Sequence, residues 1–142
     1  MKDDYLKYWR VVRYFIKAKY KISEPDLEML LFLKSERYFT SRNFKEYLEL
    51  FPWDRKRFNR LLEEEWIVEF PKKKRNRQMY ELSFKAKRML NSVYKKLNGE
   101  EFPEAQNNNP LFATNVPYTN KVYRNMIKEI NKTTRQQRYH AQ

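Results

Sequence analysis

The stretch DRKRFNRLLEEEWIVEFPKKKRNRQMYEL, residues 54–82, changes its pattern twice along its length. Residues 54–65 repeat apolar side chains every three or four positions, which predicts a helix that begins at a capping aspartate. Residues 66–70 and 78–82 are β-branched, aromatic or alternating in polarity, which predicts two strands. Residues 71–77, between the strands, carry five cations and no acid. The stretch therefore predicts a helix followed by a strongly basic β-hairpin.

The charge balance of the whole chain is also strongly positive. The 142 residues, about one domain by length, contain 31 Lys and Arg against 18 Asp and Glu, which gives a formal net charge of +13. The hydrophobic content of 41% is sufficient for a buried core. A positive surplus of this size predicts a polyanionic partner, either nucleic acid or an anionic membrane surface.

The chain lacks the residues that several classes of protein need. The chain has no cysteine, which excludes disulfides, thiolate metal sites and cysteine nucleophiles. Its only histidine is His140 and its only glycine is Gly99, so histidine metal sites and glycine-rich nucleotide loops are not expected. No apolar run is long enough to cross a bilayer, and the first residues do not resemble a secretory signal. We therefore expect a cytoplasmic or nucleoid-associated protein that is not an enzyme, uses no cofactor or metal and does not enter membranes.

The residues that precede the stretch 54–82 predict three further helices. Residues 5–19 have helical spacing, and Ser23 caps the start of a second helix with acids in its first turn. After a short extended piece, Thr40 or Ser41 caps a third helix that ends near residue 50, ahead of a proline. Only the tight connection 51–53 separates the third helix from helix 54–65, which predicts a helix-turn-helix.

The residues after the hairpin predict a capped helix, an arm and a last helix. Ser83 caps a fifth helix, and the pair Asn98-Gly99 ends it. Residues 100–118 contain prolines and an asparagine run, which predicts an extended linker or arm. Residues 119–142 predict an amphipathic helix over 119–131 and a polar basic tail. We therefore expect residues 1–99 to form one domain that these two segments follow.

This order of elements resembles the MarR-type winged-helix regulators over about residues 5–99. The resemblance implies a mainly α fold with a small β-hairpin wing, a winged helix-turn-helix with helical extensions at both ends. It also implies a dimer formed through the terminal helices, with helix 119–131 corresponding to the last helix of the family. The residues that carry the resemblance are 23–33, 40–50, 54–70 and Tyr80-Glu81-Leu82-Ser83-Phe84-Lys85-Ala86.

Three groups of polar, mostly basic residues are the candidate DNA contacts, and they lie on the third helix, on helix 54–65 and on the hairpin. The first residues of a recognition helix reach base edges, where arginine pairs with guanine and asparagine with adenine. Cations on a projecting wing neutralise backbone phosphates. An ordinary exposed face or an ion-pair partner for another protein remains open for the helix, and a solvated run that protects edge strands remains open for the wing. The candidate residues are Arg42, Lys45, Arg55, Lys56, Arg57, Asn59, Arg60, Lys72, Lys73, Lys74, Arg75 and Arg77.

The function that these observations predict is non-enzymatic binding of double-stranded DNA by a transcription-regulator-like winged helix. In this hypothesis helix 54–65 enters the major groove and the basic wing 71–77 lies on the backbone. The alternative is a structural or assembly protein, for example a connector or ring component of a phage virion. In that alternative residues 100–142 reach a protein partner. The consecutive residues Glu63, Glu64 and Glu65 point in different directions on a helix and are not expected to bind a metal.

Overall fold

A computed structural model of the chain describes residues 4–50 and 55–141. The predicted connection 51–53 and the predicted cap Asp54 lie outside the described residues. The elements in chain order are α1 (Tyr5–Tyr20), α2 (Glu24–Glu36), β1 (Tyr38–Thr40), α3 (Ser41–Leu50), α4 (Arg55–Glu63), β2 (Ile67–Lys74), β3 (Arg77–Leu82), α5 (Phe84–Leu97), a short 3-10 helix (Pro110–Phe112) and α6 (Tyr118–Ala141).

The chain divides into two compact units, with boundaries between Ile22 and Ser23 and between Leu90 and Asn91. The central unit therefore runs over Ser23–Leu90, and the terminal unit contains α1, α6 and the residues around the 3-10 helix. These boundaries differ from the single domain 1–99 expected from the sequence. The reason is that residues distant in sequence, from both ends of the chain, pack into one unit.

The central unit has the element order of a winged helix. Helices α2, α3 and α4 precede the hairpin β2–β3, and β1 pairs with β3 to make a three-stranded antiparallel sheet in the order β1-β3-β2. Phe58 of α4 packs against Phe44 of α3 and Tyr80 of β3, with ring centroids 4.7 and 5.0 Å apart. Buried Phe39 of β1 lies opposite Tyr80 in the sheet. The predicted fold class, mainly α with a small β-hairpin wing and helical extensions at both ends, is confirmed.

Side-chain caps begin three of these helices at the predicted places. Ser23 Oγ accepts a hydrogen bond from the amide of Asp26, and Ser83 Oγ accepts one from the amide of Ala86. Thr40, rather than Ser41, caps α3, because its hydroxyl accepts from the Asn43 amide at 3.1 Å. The Asn43 side chain in turn accepts from the Thr40 amide at 3.0 Å. This reciprocal arrangement satisfies two backbone donors at the start of the helix.

The wing is longer and its tip is shorter than the sequence predicted. Residues 71–77 were expected to form the tip, but β2 and β3 stay paired to the end, where Lys74 lies opposite Arg77. The turn consists only of Arg75 and Asn76, both with positive φ, 52° and 63°. Such a two-residue turn matches the twist of the strands and allows the pairing to continue. A β-bulge between Phe70 and Lys73 absorbs the irregularity that the proline introduces.

In the terminal unit, residues 100–117 are packed and do not form the extended arm expected from the sequence. Phe102 is buried, with its ring 5.5 Å from that of Phe15 in α1. The Asn131 side chain of α6 bonds both backbone groups of Phe102, at 2.8 and 2.9 Å. Asn109 begins the 3-10 helix, in which Leu111 is buried. Apolar burial and satisfied backbone groups therefore hold this segment to α1 and α6.

The two terminal helices differ from the sequence prediction in length and in one buried position. Helix α6 continues to Ala141 rather than ending near residue 131, so the predicted basic tail and His140 are helical. Tyr5 begins the helical spacing that predicted α1, but its side chain is 76% exposed. In the part of the chain that the structure describes, no helix is long and apolar enough to span a bilayer.

Candidate nucleic-acid interface

Helix α4 separates a buried apolar face from an exposed polar face. Phe58 and Leu61 are buried, and the Phe58 ring packs against α3 and the sheet. Lys56 and Asn59 lie one helical turn apart on the exposed side. Three exposed glutamates, 63–65, follow at the other end. The exposed face is therefore basic near its start and acidic at its end, an order that opposes the helix dipole and does not serve stability.

Two of the predicted contact residues on α4 bind a carboxylate of the same unit. Asp26 of α2 is buried, and its Oδ1 accepts hydrogen bonds from Arg57 at 2.5 Å and from Arg60 at 2.8 Å. The Arg57 side chain is only 14% exposed, whereas that of Arg60 is 41% exposed. Arg57 thus attaches α4 to α2, and Arg60 shares this attachment while keeping part of its surface in solvent.

The wing carries the highest density of exposed positive charge. Its five cations are all exposed, and none forms an ion pair with any residue in the described ranges. Gln78 stabilises the strand pairing beside the bulge by donating to the Phe70 carbonyl at 2.8 Å. The hairpin therefore presents its charges on a paired, internally bonded support. The five cations are Lys72, Lys73, Lys74, Arg75 and Arg77.

A pocket of about 400 Å³ lies between the start of α3 and the end of the wing. We call it the basic pocket, because four of the side chains that line it are cationic and only one is a carboxylate. The wing contributes three cations and α3 contributes the fourth. The residues that line it are Thr40, Arg42, Asn43, Glu46, Lys74, Arg75 and Arg77.

Tyr47 follows the pocket residue Glu46 on α3 but does not itself line the pocket. Burial raises the pKa of Tyr47 to about 12, together with the charge and hydrogen bond of Glu36 and the charge of Glu46. Tyr47 packs edge-on against Phe32 of α2 at 5.0 Å. Glu46 is the acidic group that lines the pocket.

The structure gathers only part of the predicted set at one place. Lys45, Lys56, Asn59, Lys72 and Lys73 are exposed but do not line the basic pocket, whereas Arg57 and Arg60 bind Asp26. The side chain of Arg55 lies outside the described residues. The predicted residues that share the pocket are Arg42, Lys74, Arg75 and Arg77.

Sequence reasoning did not find the partners of these residues. Asp26 fits the acidic first turn of a helix, which gave no indication of a partner more than thirty positions away. Thr40 was recognised as a cap, but Asn43 and Glu46 carried no signal beyond ordinary helix positions. Within residues 4–50 and 55–141, no group of three or more His, Cys, Asp or Glu side chains is arranged to hold a metal ion.

The fold and this surface together define a winged-helix domain with a basic wing. No protein-family model and no curated protein matches the sequence. Among solved structures, the chain is similar to a mutant MarR from E. coli complexed with operator DNA, with a TM-score of 0.47 and 12% identity, covering 88% of this chain and 86% of that chain. It is also similar to the oxidized form of E. coli MarR, with a TM-score of 0.46, 15% identity and the same coverage of 88% and 86%.

Both solved structures are MarR proteins, the family whose arrangement the sequence resembles. At this low identity the similarity concerns the fold alone and provides no argument on what this chain binds.

Proposed function

We propose that this protein is a non-enzymatic, DNA-binding winged-helix protein that acts as a transcription regulator in the cytoplasm or at the nucleoid. In the proposed complex, α4 enters the major groove of double-stranded DNA and the wing lies on the neighbouring backbone. The E. coli MarR structure in complex with operator DNA is consistent with this assignment but does not carry it.

The observation that carries the proposal is the unneutralised charge of the wing. Its five cations are exposed on a paired hairpin and have no carboxylate partner among the described residues. Keeping like charges together without counter-charges costs free energy in the unbound protein. A polyanion that passes along the hairpin removes this cost and releases its own counterions, which adds to affinity.

Helix α4 supplies the side chains for base contact. Lys56 and Asn59 are exposed on its first turns, and an asparagine amide pairs bidentately with adenine in the major groove. Arg60, which is partly exposed beside Asp26, reaches the backbone from the same face. The glutamates at the other end of α4 repel phosphate and orient the helix with its first turns toward DNA.

The alternative of an assembly or virion component loses the observation that favoured it. That alternative depended on an extended arm over residues 100–118, with residues 100–142 reaching a protein partner. The segment is instead packed through Phe102 and Leu111 within its own unit. Its acidic residues are also occupied, because Glu101 and Glu104 form ion pairs with Arg135 of α6 at 3.1 and 2.8 Å.

The terminal unit is the proposed site of dimer formation. Large apolar side chains remain exposed on α1, on the second half of α5 and on α6, where a single chain leaves them in water. A two-fold dimer through these helices would present two winged helices to successive half-sites of DNA. The exposed residues are Tyr5, Leu6, Tyr94, Leu97, Tyr118 and Tyr139.

The proposal is tested by titrating a labelled mixed-sequence duplex with the full chain and measuring fluorescence anisotropy at about 50 and about 200 mM KCl. The double variant Lys72→Gln/Lys73→Gln removes two wing cations. We expect its salt slope to fall by about 2, because each lost phosphate contact lowers the slope by about 0.9. Affinity at the lower salt concentration should fall by at least about tenfold.

The matched control is Lys121→Gln/Lys132→Gln, which removes two exposed cations from α6 and leaves the net charge identical to that of the wing variant. Its affinity should stay within about twofold of the unmodified protein. Absence of duplex binding at the lower salt concentration, or equal losses in the two double variants, would show that the wing is not a DNA contact.

A further inference from the structure

We propose that the basic pocket is a seat for one phosphate group, which in the DNA complex is a backbone phosphodiester held between α3 and the wing. This inference rests on the proposed function and specifies which part of the surface holds the backbone. The pocket has a volume of about 400 Å³, which exceeds the size of a phosphate and leaves room for bridging waters.

The last residue pair of the wing provides the first argument. Lys74 and Arg77 are directly opposed in the antiparallel pairing, and both line the pocket. Like charges directly opposite one another destabilise a strand pair. Neither side chain forms an ion pair with a carboxylate in the described ranges. An anion bound between them would convert this repulsion into two charge-assisted hydrogen bonds.

The turn provides the second argument. Arg75 is the first residue of the two-residue turn, with φ of 52°, a position that favours asparagine, aspartate or glycine. A long side chain at positive φ costs backbone free energy that the surrounding structure must offset. Arg75 lines the basic pocket, so the turn places a third cation at the same point.

Helix α3 supplies the donors on the opposite wall. Arg42 lies in its first turn and lines the pocket with an exposed side chain. Asn43 uses its Oδ1 to accept from the Thr40 amide and hydroxyl, both at 3.0 Å. Its Nδ2 group makes no hydrogen bond to a described residue and is available as a donor. Guanidinium and amide donors are the groups that recognise phosphate oxygens in protein–DNA complexes.

Glu46 is the pocket residue whose replacement should strengthen the binding of an anion. Its carboxylate lines the same space and repels an anion placed there. Glu49, one turn further along α3, is also exposed but does not line the pocket. The two residues therefore form a matched pair. Arg42 is paired in the same way with Lys87, an exposed cation of the central unit that lies outside the pocket and outside the predicted contacts.

The test compares four single variants of the full chain in the duplex titration. Arg42→Gln should weaken binding by about tenfold, because a charged donor to phosphate is lost, whereas Lys87→Gln should weaken it by no more than about threefold. Glu46→Gln should strengthen binding by about threefold or more, and Glu49→Gln should leave it within about twofold. Circular dichroism melting curves confirm that each variant is folded.

A second measurement uses inorganic phosphate as the probe. Backbone and arginine side-chain NMR resonances are recorded during titration with phosphate and, separately, with chloride at equal ionic strength. Saturable shifts at Arg42 and Arg75 that only phosphate produces, and that Arg42→Gln removes, show that the seat accepts the free anion as well as the duplex. Duplex effects without such shifts show that the phosphodiester is the ligand. Either result supports the seat.

The result that overturns the inference is equal behaviour within each matched pair together with no phosphate-specific shift. In that case the charges act only through the general field of the domain. This failure is distinct from failure of the proposed function, because the wing variant Lys72→Gln/Lys73→Gln leaves the pocket residues intact. If duplex binding is lost in the wing variant but is unchanged by Arg42→Gln and Glu46→Gln, DNA remains the partner. The phosphate site in the basic pocket is then excluded.

Discussion

At the scale of single residues, Asp26 links α4 to α2. It is buried, and one carboxylate oxygen holds two arginines of the helix that is proposed to read DNA. A buried charge of this kind is tolerated only while it remains paired. The pair therefore explains why Arg57, although part of a basic run in the sequence, faces the interior of the unit.

Replacing Asp26 by asparagine should lower the free energy of unfolding by about 3 kcal/mol, because the Arg57 guanidinium loses its counter-charge in a mostly buried place. The urea midpoint measured by circular dichroism tests this. Glu28→Gln is the matched control, since Glu28 is an exposed carboxylate on the same helix, and it should change stability by no more than about 0.5 kcal/mol. Equal midpoints for the two variants would show that the Asp26 pair does not stabilise α4.

At the scale of elements, the attachment of residues 100–112 to α6 distinguishes this chain from its sequence prediction. The Asn131 side chain accepts from the Phe102 amide and donates to the Phe102 carbonyl. Exposed ion pairs between Glu101 and Arg135 and between Glu101 and Arg138 lie close by. Exposed pairs contribute little each, so the buried amide is the main polar attachment.

Asn131→Ala should lower the free energy of unfolding by about 3 kcal/mol, because it leaves a buried donor and a buried acceptor of Phe102 unsatisfied. Hydrogen exchange of the Phe102 amide should accelerate at the same time, since that amide loses its acceptor. Asn125→Ala removes an exposed amide from the same helix and should change neither quantity appreciably. Slow exchange of Phe102 in Asn131→Ala would contradict the assignment of this attachment.

At the scale of the whole molecule, self-association concerns the terminal unit. Tyr5 and Leu97 line one cleft of about 270 Å³ in that unit, and both side chains are exposed in the single chain. Apolar surface of this kind is covered in stable oligomers. The proposed dimer buries these residues against the same surface of a second copy.

The double variant Tyr5→Ser/Leu97→Ser should raise the dimer dissociation constant by at least about tenfold, because two apolar contacts are lost at each copy of the interface. Sedimentation velocity over a range of protein concentrations measures this. Leu50→Ser is the control, since Leu50 is an exposed leucine of the central unit. A monomer at every concentration in the unmodified protein, or equal dissociation constants for both variants, would exclude this interface.

The sequence by itself determined the local elements and their caps. Ser23 and Ser83 accept hydrogen bonds from amides only three positions away, so a few adjacent residues determine their capping role. The strands of the wing follow from alternation, and its charge follows from composition. Such features depend on neighbours in sequence, and for that reason the order of helices and strands was predicted correctly.

The tertiary structure alone decided which distant residues meet. The pairing of Asp26 with Arg57 joins positions 31 apart, and the basic pocket brings Arg42 to Arg77. The length of the wing depended on a turn with two residues at positive φ and on a bulge, neither of which composition reveals. The packing of residues 100–117 depended on whether Phe102 finds a buried place and whether Asn131 bonds its backbone. These outcomes are set by the geometry in which elements pack, which short-range periodicity does not contain.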